Sequence, residues 1–190
     1  MQIKTPAAKQ VFTETKFFCK HNIMQNNPNV KGGIKMNPKQ LREHVITPTL
    51  KRIGLWSQAA EDLILGTACQ ESHCGKYLRQ LGCTGAIGAF GVWQMELATA
   101  RDIYDNYLRY KPELMAKVES LRNPNQELTE SLTTNLMYAC AMCRIHYLRK
   151  PDAIPMTVEG QAAYWKKHYN THLGKGTTQE YINNWERYAQ

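Results

Sequence analysis

The sequence predicts a mainly α domain, and three observations predict it. From about residue 36 onward, apolar residues recur three and four positions apart, the period of a helix face. Helix-opening signals are frequent: Asn37 before Pro38, Ser57 before an Ala- and Leu-rich run, and Thr177 three residues before Glu180. No segment alternates cleanly at the period of two that a half-buried strand needs, although a short β-hairpin or irregular loop is compatible with the glycine-rich stretch 82–92.

The elements follow in chain order. Residues 1–35 are polar and Asn-rich at "HNIMQNNPNVKGG", with one apolar patch at Phe17 and Phe18, and read as an N-terminal arm or linker. The folded domain is expected over residues 36–190. Asn37 caps its first helix and Pro38 takes the first helical position; Pro48 then restarts or kinks it. "SQAAEDLILGTACQES" forms a second helix from about Ser57. "MELATARDIYDNYLRY" places Leu97, Ala100, Ile103 or Tyr104, Tyr107 and Leu108 on one face before Pro112 stops it. Pro112 opens a short helix to about Leu121, and a long helix is expected from about Leu128 to Arg149, ahead of Pro151. "VEGQAAYWKKHYNTHL" is a further helix, broken by Gly174 and Gly176. The last opens with the Thr177–Glu180 capping box and carries Tyr181, Ile182 and Trp185.

Composition narrows the function. A chain of 190 residues fits one domain with an appendage and is long enough to bury a core without staples. No tandem repeat is visible. No apolar run approaches the roughly 18 residues of a membrane span, and "MQIKTPAAKQVFTETKFFCK" holds no signal-peptide core, so synthesis in the cytoplasm is expected. A formal net charge of +8 favours an anionic partner: nucleic acid, a membrane surface or a cell-wall polymer. The basic residues are spread along the chain instead of massed, so nucleic acid is permitted but not favoured.

Six cysteines are expected to be thiols in a reducing compartment. Cys140 and Cys143 make a C-x-x-C inside an unbroken helical pattern, where small apolar residues fill a face; a zinc knuckle wants a turn between its ligands. No H-E-x-x-H occurs. The expectation is no metal and no cofactor.

The stretch that carries chemistry is "CQESHCGKYLRQLGCTGAIGAFGVWQM", residues 69–95. Its glycines, Gly82, Gly85, Gly88 and Gly91, do not make a phosphate loop, because no Val/Ile-rich strand precedes them and neither nucleotide-binding spacing is present. A Ser or Cys nucleophile would need a partner among His73, His146, His168 and His172, and a sequence supplies no geometry to pair them. Glu71 is different. Ile64, Thr67 and Ala68 lie seven, four and three residues before it, so its carboxyl continues an inward helix face near the helix C-terminus. Apolar burial and the negative end of the helix dipole both disfavour the charged carboxylate, which suits a general acid for a glycosidic oxygen.

The order of several motifs resembles the catalytic domain of lytic transglycosylases of the soluble (SLT) type, within the lysozyme-like superfamily. Glu71-Ser72 matches that family's Glu-Ser at a helix end. Gly88, Gly91 and Gln94 match its Gly-x-x-Gly-h-h-Gln loop, and Ala98-Thr99-Ala100 the helix start that follows. Tyr147-Leu148 and Ala162-Ala163-Tyr164 or Tyr169-Asn170 match the later segments, so the likeness spans about residues 55–185. Two positions depart from the pattern. Leu97 stands where the family has Pro, and Trp165 follows Tyr164 where the family has Asn, with Tyr169-Asn170 five residues on. The chain is also similar to small proteins of tailed bacteriophages carried in the virion or tail.

The resemblance implies a lysozyme-like helical domain that cleaves peptidoglycan between N-acetylmuramic acid and N-acetylglucosamine. Glu71 would act first as acid and then as base, giving a 1,6-anhydro product. Ser72, Gly88, Gly91, Gln94, Tyr164, Tyr169 and Asn170 would bind substrate, Tyr169 being favoured over Tyr164 to face it. A hydrolase would want a second acid, and Glu96 and Asp102 are nearest in sequence. Trp93 is open between stacking on a sugar and packing in the core. The resemblance also implies a virion-associated protein acting on periplasmic or cell-wall peptidoglycan, with residues 1–35 meeting other virion or tail proteins. The rival reading is a non-catalytic structural virion protein on the same scaffold.

Overall fold

The computed structural model describes residues 36–170 and 174–189 and is mainly helical, as the sequence predicts. The expected arm, residues 1–35, lies outside the described residues.

The domain begins with α1 (Pro38–Leu41), which runs through a π-helical turn (Arg42–Ile46) into α2 (Thr47–Ile53). Asn37 Oδ1 accepts from the backbone N–H groups of Lys39 at 2.9 Å and Gln40 at 3.2 Å, which is the cap read from the sequence. Pro48 is accommodated without ending the helical path. It has no N–H to donate and stands in the first turn of α2, directly after the π turn.

Next comes α3 (Gln58–Ser72), buried along almost its whole length and packed against α7, α8 and α9, defined below. Ser57 Oγ accepts from Ala60 N at 3.1 Å to open it. Near this end Glu61 is buried, yet hydrogen bonds from Trp56 Nε1 (2.7 Å), Arg42 (2.8 Å) and Thr47 Oγ1 (2.7 Å) surround its carboxylate. Burial opposes its ionisation, but these donors outweigh burial and lower its pKa, so it stays charged and ties the π turn and the start of α2 to α3. Leu63, Ile64 and Leu65 have no exposed surface, and burying each side chain is worth about 1.5–3 kcal/mol.

A loop from α3 leads to a small hairpin of β1 (Ala89–Phe90) and β2 (Met95–Glu96), antiparallel with Ala89 opposite Glu96 and Phe90 opposite Met95. The first strand thus lies inside the glycine-rich stretch 82–92 and the second just beyond it, while the rest of the stretch is loop. Trp93, at the hairpin turn, is 1% exposed and donates its Nε1–H to Ile64 O of α3 at 2.9 Å, so it is a core residue. Then follow α4 (Leu97–Asn106), a 3-10 turn (Leu108–Tyr110), α5 (Pro112–Glu119), α6 (Leu128–Thr134) and α7 (Leu136–Leu148).

The single long helix expected from Leu128 to Arg149 is thus two helices. Asn135 divides them: its side chain accepts from Tyr138 N at 3.0 Å to cap α7 and donates to Leu121 O at 2.6 Å. A short amide side chain that competes with the backbone in this way favours a cap over a helix interior. Finally α8 (Val158–Trp165) runs into a π turn (Lys166–Asn170), and α9 (Thr178–Tyr188) opens with both halves of the Thr177–Glu180 capping box formed. Gly66 of α3 is what lets α9 approach, since a Cβ there would stand 1.9 Å from the Tyr181 hydroxyl oxygen.

Cys140 and Cys143 are fully buried thiols within α7, and burial pushes both well above the ordinary thiol range. Cys83, by contrast, is disulfide-bonded, which corrects the expectation of a thiol at that position.

Two glycines in one loop give a test of what the fold requires. Both are left-handed, Gly82 at φ 78° and Gly91 at φ 74°, but a Cβ on Gly82 meets open space while one on Gly91 would stand 1.9 Å from Leu132 O. Gly82→Ala is expected to cost about 1–2 kcal/mol from backbone conformation alone. Gly91→Ala is expected to cost more than twice that, because α6 or the hairpin must move. Urea unfolding of the two variants measures the difference.

Candidate active site

Glu71 sits in the last turn of α3, where the helix emerges into a cleft of about 410 Å³. The cleft is built by elements distant in sequence. The end of α3 gives Gln70 and Glu71, the hairpin gives Ala89 and Gln94–Glu96, and α4 gives Thr99. His146 comes from α7, Trp165, Tyr169 and Asn170 from the α8 end and its π turn, and Gly174–Gly176 with Glu180 close the rim.

The end of α3 is held firmly. Ser72 Oγ donates to Val92 O at 2.6 Å and accepts from Gly75 N at 2.8 Å, so it ties the helix end to the hairpin turn. His73 N donates to Cys69 O at 3.1 Å and Cys74 N to Ala68 O at 3.0 Å, the pair of bonds that closes a helix through a left-handed residue. Glu71 Oε1 in turn accepts the indole Nε1–H of Trp165 at 2.9 Å. The indole orients the carboxyl while bringing no positive charge of its own.

Tyr169 lies four residues beyond Trp165 and reaches the same cleft. Its hydroxyl donates to Trp93 O at 2.6 Å, and burial above all, with Glu71 nearby adding to it, holds the phenol well above its ordinary range. It is a protonated donor at any working pH. Asn170 Oδ1 accepts from Lys166 Nζ at 2.7 Å, and the same ammonium donates to Gly174 O at 2.7 Å, fastening the rim loop to the π turn. Gly176 lets that loop lie on Trp165, where a Cβ would stand 2.7 Å from the indole. Gln94, at φ 46°, donates its amide to Gly91 O at 2.7 Å and so presents its side chain from the hairpin turn.

Of the residues singled out by sequence, Glu71, Gln94, Tyr169 and Asn170 come together in this cleft. Ser72 does not line it; it is a buried brace of α3. Gly88 and Gly91 also lie off the cleft. A Cβ on Gly88 would stand 2.8 Å from Cys83 Cβ and 3.1 Å from Gln80 Oε1, and one on Gly91 would stand 1.9 Å from Leu132 O of α6. Tyr164 points elsewhere, donating to Asp152 O at 3.0 Å and stacking edge-on with His168 at 4.5 Å, so of the two tyrosines only Tyr169 faces Glu71. Asp102 is outside the cleft in an ion pair with Arg149 at 2.6 Å; a hydrogen bond from Asn106 and then Arg149 lower its pKa and keep it ionised. Glu96 does line the cleft.

Trp165 and His146 also line the cleft, although the sequence assigns neither of them to the site. Trp165 is visible there as a departure from the family pattern, and its i, i+4 spacing to Tyr169 is the available signal. His146 Nε2 donates to His168 O at 2.8 Å, which leaves Nδ1 as the unprotonated nitrogen, and Nδ1 is buried with no hydrogen-bond partner among the described residues. Burial lowers the pKa of this imidazole to about 4. Among the described residues no group of three or more His, Cys, Asp or Glu is placed to hold a metal ion.

His146 gives the domain an acid-sensitive element. Its folded pKa is about 4, while unfolded histidine titrates near 6.5, so between these values the unfolded chain binds the extra proton and stability falls as pH falls. The slope contributed is at most about 1.4 kcal/mol per pH unit. His146→Gln is expected to lose less stability than the native chain between pH 6.5 and 4, measured by urea unfolding at each pH. Compared with known protein families, characterised proteins and solved structures, the chain matches none, so its functional reading rests on these residues and their geometry.

Proposed function

We propose that the protein is a peptidoglycan-cleaving lytic transglycosylase whose single essential acid is Glu71. The observation that carries the reading is the placement of Glu71: a helix-end carboxyl in a cleft, oriented by Trp165 and flanked by Gln94, Tyr169 and Asn170. The cleft lining favours a sugar over a phosphate. Among the described residues its acids are Glu71, Glu96 and Glu180 against one permanent cation, Lys175, which repels a polyanion. Gln70, Gln80, Gln94 and Asn170 offer amides suited to hydroxyl and N-acetyl groups.

In this mechanism Glu71 protonates the oxygen between N-acetylmuramic acid and N-acetylglucosamine. The bond breaks through an oxocarbenium-like transition state, whose positive charge the cleft carboxylates favour. The Glu71 carboxylate then takes the proton of the muramyl 6-hydroxyl, whose oxygen closes the 1,6-anhydro ring. Because the nucleophile is part of the substrate, one carboxyl does work that a hydrolase divides between two. Trp165 keeps the Glu71 oxygen in place through both proton transfers. Delivery to the wall by a virion or tail, with residues 1–35 as the attachment, belongs to the same proposal.

Purified peptidoglycan digested with the native chain is expected to release anhydro-muropeptides, identified by mass spectrometry. Glu71→Gln should lower release by at least about 100-fold, the usual share of a general acid–base residue. Glu96→Gln should retain most of it. Reducing-end products that vanish in Glu96→Gln would instead make Glu96 the second acid of a hydrolase. No release by any folded form would leave the scaffold without this activity and support a structural virion role.

Trp165→Phe keeps an aromatic ring and removes the donor. Its release rate is expected to fall about tenfold while Trp165→Phe added to Glu71→Gln brings little further loss, since both act through one carboxyl.

A further inference from the structure

Two thiols flank Glu71 on the chain, and the fold brings them together. Cys69 and Cys74 are both fully buried, with Sγ atoms 3.0 Å apart. The bonded separation in a disulfide is about 2.05 Å, so about 1 Å of closure separates this contact from a bridge. The closeness has a backbone cause. The chain reverses at the end of α3 through two successive non-glycine residues in the left-handed region, His73 at φ 51° and Cys74 at φ 55°. That conformation is disfavoured for residues with a Cβ. It is fixed here by the two cap bonds to Ala68 O and Cys69 O and by Met36 N donating to Cys74 O at 3.1 Å. The cysteines that share α7, Cys140 and Cys143, lie along one helix and have no such reversal between them.

We propose that Cys69 and Cys74 are a disulfide site, closed when the chain folds under oxidising conditions. The bridge joins the last turn of α3 to the residues beyond its cap and so clamps the turn that carries Glu71. The oxidant is an external disulfide of the glutathione type. One cysteine thiolate attacks it and releases the first small thiol; the other cysteine attacks the mixed disulfide and releases the second. The two cysteines give up two protons and two electrons, and the external disulfide leaves as two thiols. Since both sulfurs are buried in the finished fold, the exchange takes place before the cap packs. The inference does not depend on the transglycosylase reading, because it concerns the covalent state of the chain.

The full chain, reduced and unfolded, is refolded in a buffer of reduced and oxidised glutathione, treated with iodoacetamide and digested with trypsin. The peptide 53–76 contains both cysteines, no other cysteine, and no internal Lys or Arg. It is expected to be lighter by two hydrogens and unalkylated, whereas the same peptide from chain refolded in dithiothreitol and alkylated after unfolding carries two added groups. The bridged chain is expected to melt a few degrees higher, a gain that Cys74→Ala loses; the small loop it closes sets that modest size. A doubly alkylated peptide from the glutathione refolding, or one cross-linked to another peptide, overturns the proposal. The peptide mapping needs only the native chain, so it decides the matter even where Cys74→Ala fails to fold.

Discussion

The constraint on which the rest depends is that α3 is buried on nearly every side up to its last turn. A helix so enclosed has to satisfy its own end, and the residues after Glu71 do so by cap bonds and by Ser72 reaching Val92. Its flank also accepts a bond from Trp93 at Ile64 O, which fastens the hairpin to it. Once the hairpin is fixed on one side and α8 and α9 on the other, the space left at the helix end is the cleft. Glu71 is the acid that α3 delivers there, and Glu61, on the same helix, is enclosed by three donors as a structural anion. One helix thus carries two carboxyls in different surroundings, one enclosed by donors and one at the cleft.

The indole bond to Glu71 differs in kind from the bonds that hold Glu61. Arg42 gives Glu61 a full positive charge within 2.8 Å, which fixes it as an anion. Trp165 gives Glu71 a neutral N–H. A neutral donor orients a carboxyl without itself exerting the Coulombic hold of a cation. The π turn that follows α8 matters for the same reason, since it sets Tyr169 and Asn170 facing the cleft just beyond Trp165.

Much of this is legible in the sequence. Asn37 and the Thr177–Glu180 box mark helix starts by local chemistry alone, and they form as read. Glu71, Gln94, Tyr169 and Asn170 can be gathered because their order along the chain follows a pattern. What is not legible depends on neighbours that a sequence does not name. A glycine announces close approach or a left-handed turn, and Gly88 and Gly91 serve both, but toward Cys83 and Leu132 and not toward a ligand. Asn135 sits in an apolar-periodic run that conceals its capping bonds. Trp165 looks like a departure because its value lies in a contact with a carboxyl on another helix.

That contact joins residues 94 positions apart. Closing so long a stretch of chain costs loop entropy, and contacts of this separation slow the search for the native state. The cleft therefore depends on both ends of the domain at once. A nascent or partly threaded chain holds Glu71 without its indole, its tyrosine or its rim, so the cleft does not exist until the C-terminal helices dock.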